Sequence, residues 1–239
     1  MKTLISILLA LAALTSCRPA QLIKADGTTI TKEFAFNPES RILSVTNTFN
    51  VILDDSLPAG TAIVETDRAV MEHVLVKSND EKVLIRLKGR WRVSPVPMNV
   101  RISPSSFDDF RATGACEIVS EIPLARKEVE AAATGVSTIC LKNLTAEEVE
   151  ADATGTSTVI LHGTAQKGDF SATGLSKVEA SALGCQEVEV QATGTSTIHV
   201  NALQRISGSN IGMSTVRYTG SPAKVNVTNV GMSSVEVLP

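Results

Sequence analysis

The stretch AAATGVSTICLKNLTAEEVEADATGTSTVIL, residues 131–161, contains one five-residue pattern twice. Ala-Thr-Gly-x-Ser ends at Ser137 and again at Ser157. Small residues that recur at such an interval are typical of repeat architectures, in which each copy buries its apolar face against the next. The period of this pattern along the chain therefore decides the fold class.

Seven glycines carry the pattern through the second half of the chain, spaced by 21, 20, 19, 20, 18 and 19 residues. They are Gly114, Gly135, Gly155, Gly174, Gly194, Gly212 and Gly231. A small residue stands two positions after each glycine, and a β-branched apolar residue stands four positions after it. Because the residue between these two is polar, the pattern has the period of a strand with one buried face.

A second strand precedes each glycine. A valine or isoleucine stands six positions before most of the glycines, and Asp108 and Gly168 break that series. A looser return segment with a leucine completes each coil, at Leu124, Leu144, Leu183 or Leu203. Parallel strands one coil apart cannot be joined by tight hairpins, so a solenoid is the economical arrangement. We predict an all-β chain with a C-terminal parallel β-helix-like solenoid of about seven coils of 18–21 residues and a smaller N-terminal β-rich lobe.

The repeated glycine and serine are interpreted as architectural. Glycine relieves the backbone at a sharp corner where φ is positive. Stacked serine hydroxyls are expected to hydrogen-bond from one coil to the next, which would satisfy them away from water. Ser137 or Ser157 as a nucleophile would need a base beside one particular serine, and no histidine accompanies the repeat.

Four segments are predicted along the chain. Residues 1–17 are a lipoprotein signal peptide, because a short apolar run ends at Leu14-Thr15-Ser16-Cys17, which resembles a bacterial lipobox. Cys17 is then the lipidated residue; the alternative is ordinary signal cleavage nearby. Residues 18–40 are a tether, 41–105 the N-terminal β-lobe and 106–239 the solenoid repeats. The lipid anchor makes the membrane a partner and places the protein in the cell envelope, at the outer membrane.

Several motifs resemble those of one known family. They are the opening SRILSVTNTFNVILDD, the segment DEKVLIRLKG, and the recurring ATGxS and GMS motifs that precede a β-branched residue. Over residues 41–237 they resemble the bacterial putative auto-transporter adhesin head GIN domain proteins, a domain of unknown function. The resemblance implies a β-helix-like stack with a β-rich N-terminal portion, and many members are lipoproteins. It carries over no catalytic residue.

One outward set of carboxylates is a candidate cation site. Five positions before successive glycines stand Asp109, Glu130, Glu150, Asp169 and Glu189, here called the acidic column. Opposed like charges destabilise a sheet, and Ca²⁺, which takes several oxygen ligands, would relieve the repulsion. In the alternative interpretation the carboxylates splay into solvent and use nearby lysines as counter-charges: Lys127, Lys142 or Lys167.

Two further features are candidate interaction surfaces. A flat hydroxyl array suited to a glycan or an envelope protein is expected from the threonine column: Thr138, Thr158, Thr197 and Thr215. Val119, Cys140 and Ile160 are expected to form an outward apolar strip, which hints at a homo-oligomer or a partner contact.

The only tryptophan is a third candidate. Trp91 is flanked by Lys88, Arg90 and Arg92, so it is a candidate receptor for an acidic glycan or a lipid headgroup. The alternative is a plug at a strand end between the two lobes.

The remaining sequence signals favour binding over catalysis. Lys and Arg number 22 against 25 Asp and Glu, so nothing suggests nucleic acid as a partner. No HExxH, GxSxG, CxxC or phosphate-loop motif occurs, and no cofactor is expected. The predicted function is a non-catalytic binding, adhesion or scaffolding module of the envelope. The alternatives are a carbohydrate-active enzyme on a β-helix scaffold and a purely structural envelope protein.

Overall fold

The computed structural model describes residues 21–238, so Cys17 and the signal-peptide segment lie outside the described residues. The chain is 70% strand and 2% helix, which confirms the all-β prediction. In the described part, no helix is both long and apolar enough to cross a membrane.

From residue 21 to residue 105, where the structure describes the N-terminal part, the chain forms nine strands and one short helix, α1 (Arg68–Met71). The strands are β1 (Gln21–Ile23), β2 (Thr29–Ala35), β3 (Ile42–Asn47), β4 (Asn50–Leu53), β5 (Thr61–Asp67), β6 (Val74–Ser78), β7 (Lys82–Leu87), β8 (Trp91–Val93) and β9 (Met98–Ile102).

The C-terminal part begins with shorter strands and continues with strands that each span a whole coil. They are β10 (Asp109–Gly114), β11 (Glu117–Ser120), β12 (Leu124–Ala125), β13 (Glu128–Gly135), β14 (Thr138–Gly155), β15 (Thr158–Gly174), β16 (Lys177–Gly194), β17 (Thr197–Gly212), β18 (Thr215–Thr219), β19 (Lys224–Gly231) and β20 (Ser234–Val237).

The C-terminal strands form the predicted parallel solenoid. Each coil pairs with the next in parallel, and glycine pairs with glycine at the corners. The seven corners enclose about six complete turns. Ile139, Val159 and Val178 pair in one column and are completely buried. The strand phase read from the sequence is therefore confirmed.

The break at Gly168 in the apolar column has a packing reason. Gly168 pairs with Val149 on one side and Val188 on the other. A Cβ at Gly168 would lie 2.5 Å from the Phe170 ring, which fills the space that the column's usual side chain would occupy. Phe170 in turn stands where the preceding coil has Ala151. The interior stays filled because the large side chain of Phe170 compensates for the missing side chain of Gly168.

The glycine corners have φ between +87° and +108°, as predicted. Asn47, with φ of +83°, pairs with Gly114 and takes the corner position one coil earlier. Asparagine is one of the few residues that tolerate this left-handed conformation. Strands β3 and β4 therefore form a coil of the same stack, and the sheet continues through the boundary placed at residue 105.

The N-terminal end of the stack is closed by antiparallel strands. Strands β7 and β9 pair in parallel with β3 and β4, and β6, β5 and β2 add antiparallel edges. Strands β6 and β7 form an antiparallel hairpin. Helix α1 ends at Met71, and Asp67 caps its start by accepting from the amide of Ala69 at 2.9 Å.

The tether prediction for residues 18–40 is wrong from Gln21 onward. Strand β1 pairs with β8, and β2 pairs with β5 over its whole length. Ile30, Phe34 and Phe36 pack on the core, which holds this segment against the stack.

The return segments follow the predicted leucine pattern in three coils, because Leu124, Leu144 and Leu183 are buried. Leu203 is 46% exposed, and Ala202 occupies the buried position instead, because the pairing of β16 with β17 shifts register at this corner. In the coil between those of Leu144 and Leu183, Gly163 stands at the leucine position.

Candidate functional site

The corner serines are structural, but their hydrogen bonds differ from the prediction. Ser157 Oγ donates to the carbonyl of Ala133 at 2.8 Å and to that of Thr154 at 3.0 Å. Ser176 Oγ donates to Ala153 in the same way. The expected serine-to-serine ladder is wrong because main-chain carbonyls of the corner lie within reach of each hydroxyl. Both serines are buried and hold the corner of one coil to the coil before it.

The acidic column is aligned in the structure. Its five members pair in succession from β10 to β16, each with the carboxylate of the next coil. Ser207 of β17 follows Glu189 and ends the run of carboxylates. Neighbouring strands lie about 4.8 Å apart, so the column is a line of closely spaced acids on one outer face.

An arginine neutralises the first end of the acidic column. Arg111 Nε and Nη2 donate to the Asp109 carboxylate at 2.6–3.1 Å, and Arg111 Nη2 lies 3.5 Å from Glu130 Oε1. The sequence contained this signal, because residues two apart on a strand share a face. Lys167 binds Glu148 and Lys142 binds Glu121, so these expected counter-ions pair with carboxylates outside the column.

The middle of the acidic column retains its repulsion. Burial raises the pKa of Glu130, Glu150 and Asp169 above the ordinary values, and nearby carboxylates raise it further. Within residues 21–238, no group of three or more His, Cys, Asp or Glu side chains is arranged to hold a metal ion. The Ca²⁺ hypothesis therefore stays a prediction.

We expect the acidic column to make the protein less stable as the pH rises. Carboxyl groups with a raised pKa in the folded protein bind protons more readily than in the unfolded chain, so stability is gained as pH falls toward about 5. Glu130→Gln with Glu150→Gln should stabilise the protein at about pH 7 by a few tenths to about 1 kcal/mol, and the gain should shrink at about pH 5. Thermal melts of both proteins at the two pH values measure this difference.

The same pair of proteins tests the cation hypothesis. Other carboxylates do not disturb the comparison between about pH 5 and about pH 7. The pKa of Glu121 and that of Glu236 are lowered, so these groups lose their contribution to stability only below the ordinary value of 4.5. Repeating the melts in CaCl2 and in NaCl of matched ionic strength should give equal melting temperatures. An increase in melting temperature that is specific to Ca²⁺ and disappears in the double variant would identify a cation site. In the pH comparison, a stability difference between the two proteins that does not change with pH would contradict the repulsion.

The threonine column is not continuous. Thr138 pairs with Thr158 and Thr197 pairs with Thr215, but Lys177 stands between the two pairs. All four threonines are half-buried. The structure therefore offers two short hydroxyl pairs separated by a cation.

The apolar strip lies on adjacent coils, as predicted. Val119 pairs with Cys140, which pairs with Ile160, and all three are half-buried. Ile52 of the earlier coil extends the strip and is 52% exposed, and Glu179 ends it.

A polar cluster that sequence reasoning missed continues this column. His199 Nδ1 lies 2.7 Å from Glu179 Oε2, and Lys177 Nζ lies 2.9 Å from the same oxygen. Burial alone would raise the pKa of Glu179, but hydrogen bonds from Ser181, Lys177 and His199 lower it to about 2. The signal in the sequence was positional, since Glu179 and His199 each follow a corner glycine by five residues.

Trp91 packs at a strand end. Its ring lies 4.4 Å from that of His73, centroid to centroid, and its Nε1 donates to the carbonyl of Lys88. The side chain is partly buried against the core. Both contacts are within the N-terminal part of the chain, so they place Trp91 at a strand end there, and its position between the two lobes stays a prediction.

A groove runs along one corner of the solenoid, with a volume of about 580 Å³. We call it the corner groove. Five successive coils line it, with residues 127–128, 147–148, 166–167, 186–187 and 204. A second cleft of about 280 Å³ lies at the N-terminal end of the acidic column. It contains two ion pairs, Arg41 with Asp108 and Arg111 with Asp109.

Solved structures share this fold. A crystal structure of a putative adhesin from Bacteroides fragilis is similar over 90% of this chain and all of its own, with a TM-score of 0.78 and 17% identity. A putative lipid binding protein from Parabacteroides distasonis covers 92% of this chain and 100% of its own, with a TM-score of 0.75 and 14% identity. At these identities the likeness concerns the fold alone.

Sequence comparison assigns the family. The comparison with curated proteins finds no significant match. The sequence profile described as putative auto-transporter adhesin, head GIN domain, matches residues 41–222, and the chain belongs to this family.

Proposed function

We propose that this protein is a lipoprotein of the cell envelope that acts as a non-catalytic binding or adhesion module. The observation that carries the proposal is the alignment of polar side chains in columns on the outside of the stack. A rigid surface with one set of groups per coil suits an extended ligand, as the concave faces of other solenoids do. The family description supports the same function.

Membrane attachment is proposed from the sequence. Cys17→Ser should abolish labelling with radioactive palmitate, because the thiol is the acylated group of a lipobox. The variant should accumulate as unprocessed precursor, or as a soluble form if another site is cut. Labelling followed by membrane fractionation measures this, and unchanged palmitate incorporation would show that the lipobox interpretation is wrong.

The binding function is tested on a glycan array with the purified chain from residue 18 onward, together with isolated envelope proteins. We expect retention on a subset of glycans without release of shorter products. Absence of binding to both sets would favour the purely structural alternative.

One observation favours the enzyme alternative enough to test it. The cleft at the N-terminal end of the acidic column combines Arg41 and Arg111 with several carboxylates, the mixture that a carbohydrate-active site requires. Burial and the charge of Asp109 raise the pKa of Glu130 in this cleft, as a general acid needs. Ion pairs occupy Asp108 and Asp109, which supports a structural role. Product release from polysaccharides that Glu130→Gln abolishes would establish catalysis.

A further inference from the structure

The corner groove has a regular construction. The first four coils each contribute two adjacent residues to it, and the fifth contributes one. The first two coils supply only charged residues, and the other three each supply a glutamine. The glutamines are Gln166, Gln186 and Gln204. The charged residues that follow them, Lys167, Glu187 and Arg205, pair with one another in coil register.

Two ion pairs link successive coils at the groove. Lys167 Nζ lies 2.8 Å from Glu148 Oε1, and Glu187 Oε2 lies 2.6 Å from Nη2 of Arg205, the residue after the lining Gln204. The lining itself carries four glutamates against two lysines, so the groove disfavours an acidic ligand. A charged ligand would also have to compete with the two ion pairs, and the groove therefore favours a neutral ligand over an acidic one.

The amides of the groove retain hydrogen-bonding capacity. Gln204 Nε2 donates to Gln186 Oε1 at 3.0 Å, and no other side-chain hydrogen bond involves these amides among the described residues. Each carboxamide has two donors and an acceptor. Because the three side chains stand on successive coils, their spacing is about 4.8 Å.

We propose that the corner groove binds a neutral polysaccharide strand that lies along the solenoid axis and is held by the amides of Gln166, Gln186 and Gln204. This inference rests on the proposed binding function. Carboxamides match hydroxyl groups, which also donate and accept, and a polymer of sugar units presents them at regular intervals along the stack.

A peptide strand fits this groove less well. Strand addition requires a sheet edge with unpaired main-chain groups, whereas the coils at the groove pair with neighbours on both sides. No aromatic side chain lines the groove, so sugar rings have no stacking platform there. Binding then depends on hydrogen bonds that add up along the strand, and affinity should grow with ligand length.

The test measures oligosaccharide affinity against length by calorimetry. The probes are cello-, malto- and manno-oligosaccharides, from the disaccharide to the heptasaccharide, with oligogalacturonate as the acidic comparison. We expect at least one neutral series to bind more tightly with each added unit until the strand covers the lined coils. No binding by any neutral series, affinity independent of length, or preference for oligogalacturonate would overturn the proposal.

Variants locate the site. Gln186→Ala with Gln204→Ala should weaken binding of the longest bound oligosaccharide by about tenfold, since each lost hydrogen bond costs a few-fold in affinity. Gln191→Ala, an exposed glutamine outside the groove, should leave it unchanged. Both variants alter surface side chains, and thermal melts verify their folding. If the double variant binds as wild type does, the groove assignment is wrong while the binding function stands; if wild type binds nothing on the array, the function itself fails.

Discussion

Replacing Gly208 with alanine should lower the free energy of unfolding by at least about 2 kcal/mol, from backbone strain and steric overlap together. Gly208 has φ of +139°, a conformation that other residues rarely adopt. A Cβ there would lie 1.9 Å from the carbonyl oxygen of Val190, its partner on the preceding coil. The two coils would have to separate locally, and the parallel pairing of β16 with β17 would weaken.

Gly184→Ala is the matched control. A Cβ at Gly184 would meet nothing closer than Asn201 Nδ2 at 4.0 Å, and its backbone is not in the left-handed region. Urea unfolding of the two variants and wild type should therefore show a large loss for Gly208→Ala and little change for Gly184→Ala. Equal midpoints would contradict the close approach of successive coils.

A charge inside the stack should be still more damaging. Val159 is completely buried, between Ile139 and Val178 of the neighbouring coils. Val159→Asp would bury an unpaired carboxylate in a thin apolar layer, at a cost of several kcal/mol out of a total stability of about 5–15 kcal/mol. We expect a protein that unfolds at a much lower temperature or fails to fold.

Thr158→Asp, one residue earlier, tests the direction of the side chains. Thr158 is half-buried on the outer face and pairs with Lys177 of the next coil, which offers a counter-charge. This variant should melt within a few degrees of wild type, since each kcal/mol corresponds to about 2–4 °C in a chain of this size. Similar melting of the two aspartate variants would refute the inward and outward assignment.

The solenoid was predictable because its signal is redundant. Corner glycines, small residues and β-branched residues recur at fixed offsets, so an error at one position such as Gly168 does not change the register. The same redundancy aligned the acidic column correctly. Periodicity identifies which residues share a face and which coil follows which.

Features that depend on the path of the main chain were not predictable in this way. Asn47 is not a glycine, and only its left-handed backbone and its pairing with Gly114 identify it as a corner. The corner serines donate to carbonyls whose positions the sequence does not specify. Segment 21–36 has too few apolar residues for a strong pattern, and its order comes from pairing with β5 and β8.

The sequence contained the alignment of the candidate site but not its shape. The groove residues recur seven and eight positions before the corner glycines, so counting from the glycines places them in adjacent columns. That these columns line a concave surface depends on the path of the main chain, which the period does not specify. Arg111 and the Glu179–His199 pair were accessible from the sequence, because both follow from strand phase and corner offsets.

The most direct measurement of the proposed mode of binding is an NMR titration that follows the side-chain amides of the glutamines. The chain has Gln21, Gln191 and the three groove glutamines, which gives internal controls in a single spectrum. On addition of the heptasaccharide that binds most tightly, we expect the carboxamide signals of Gln166, Gln186 and Gln204 to shift together with one dissociation constant, while Gln191 stays in place. Shifts confined to residues of another face, or no shift in the three groove amides at saturation, would contradict the account.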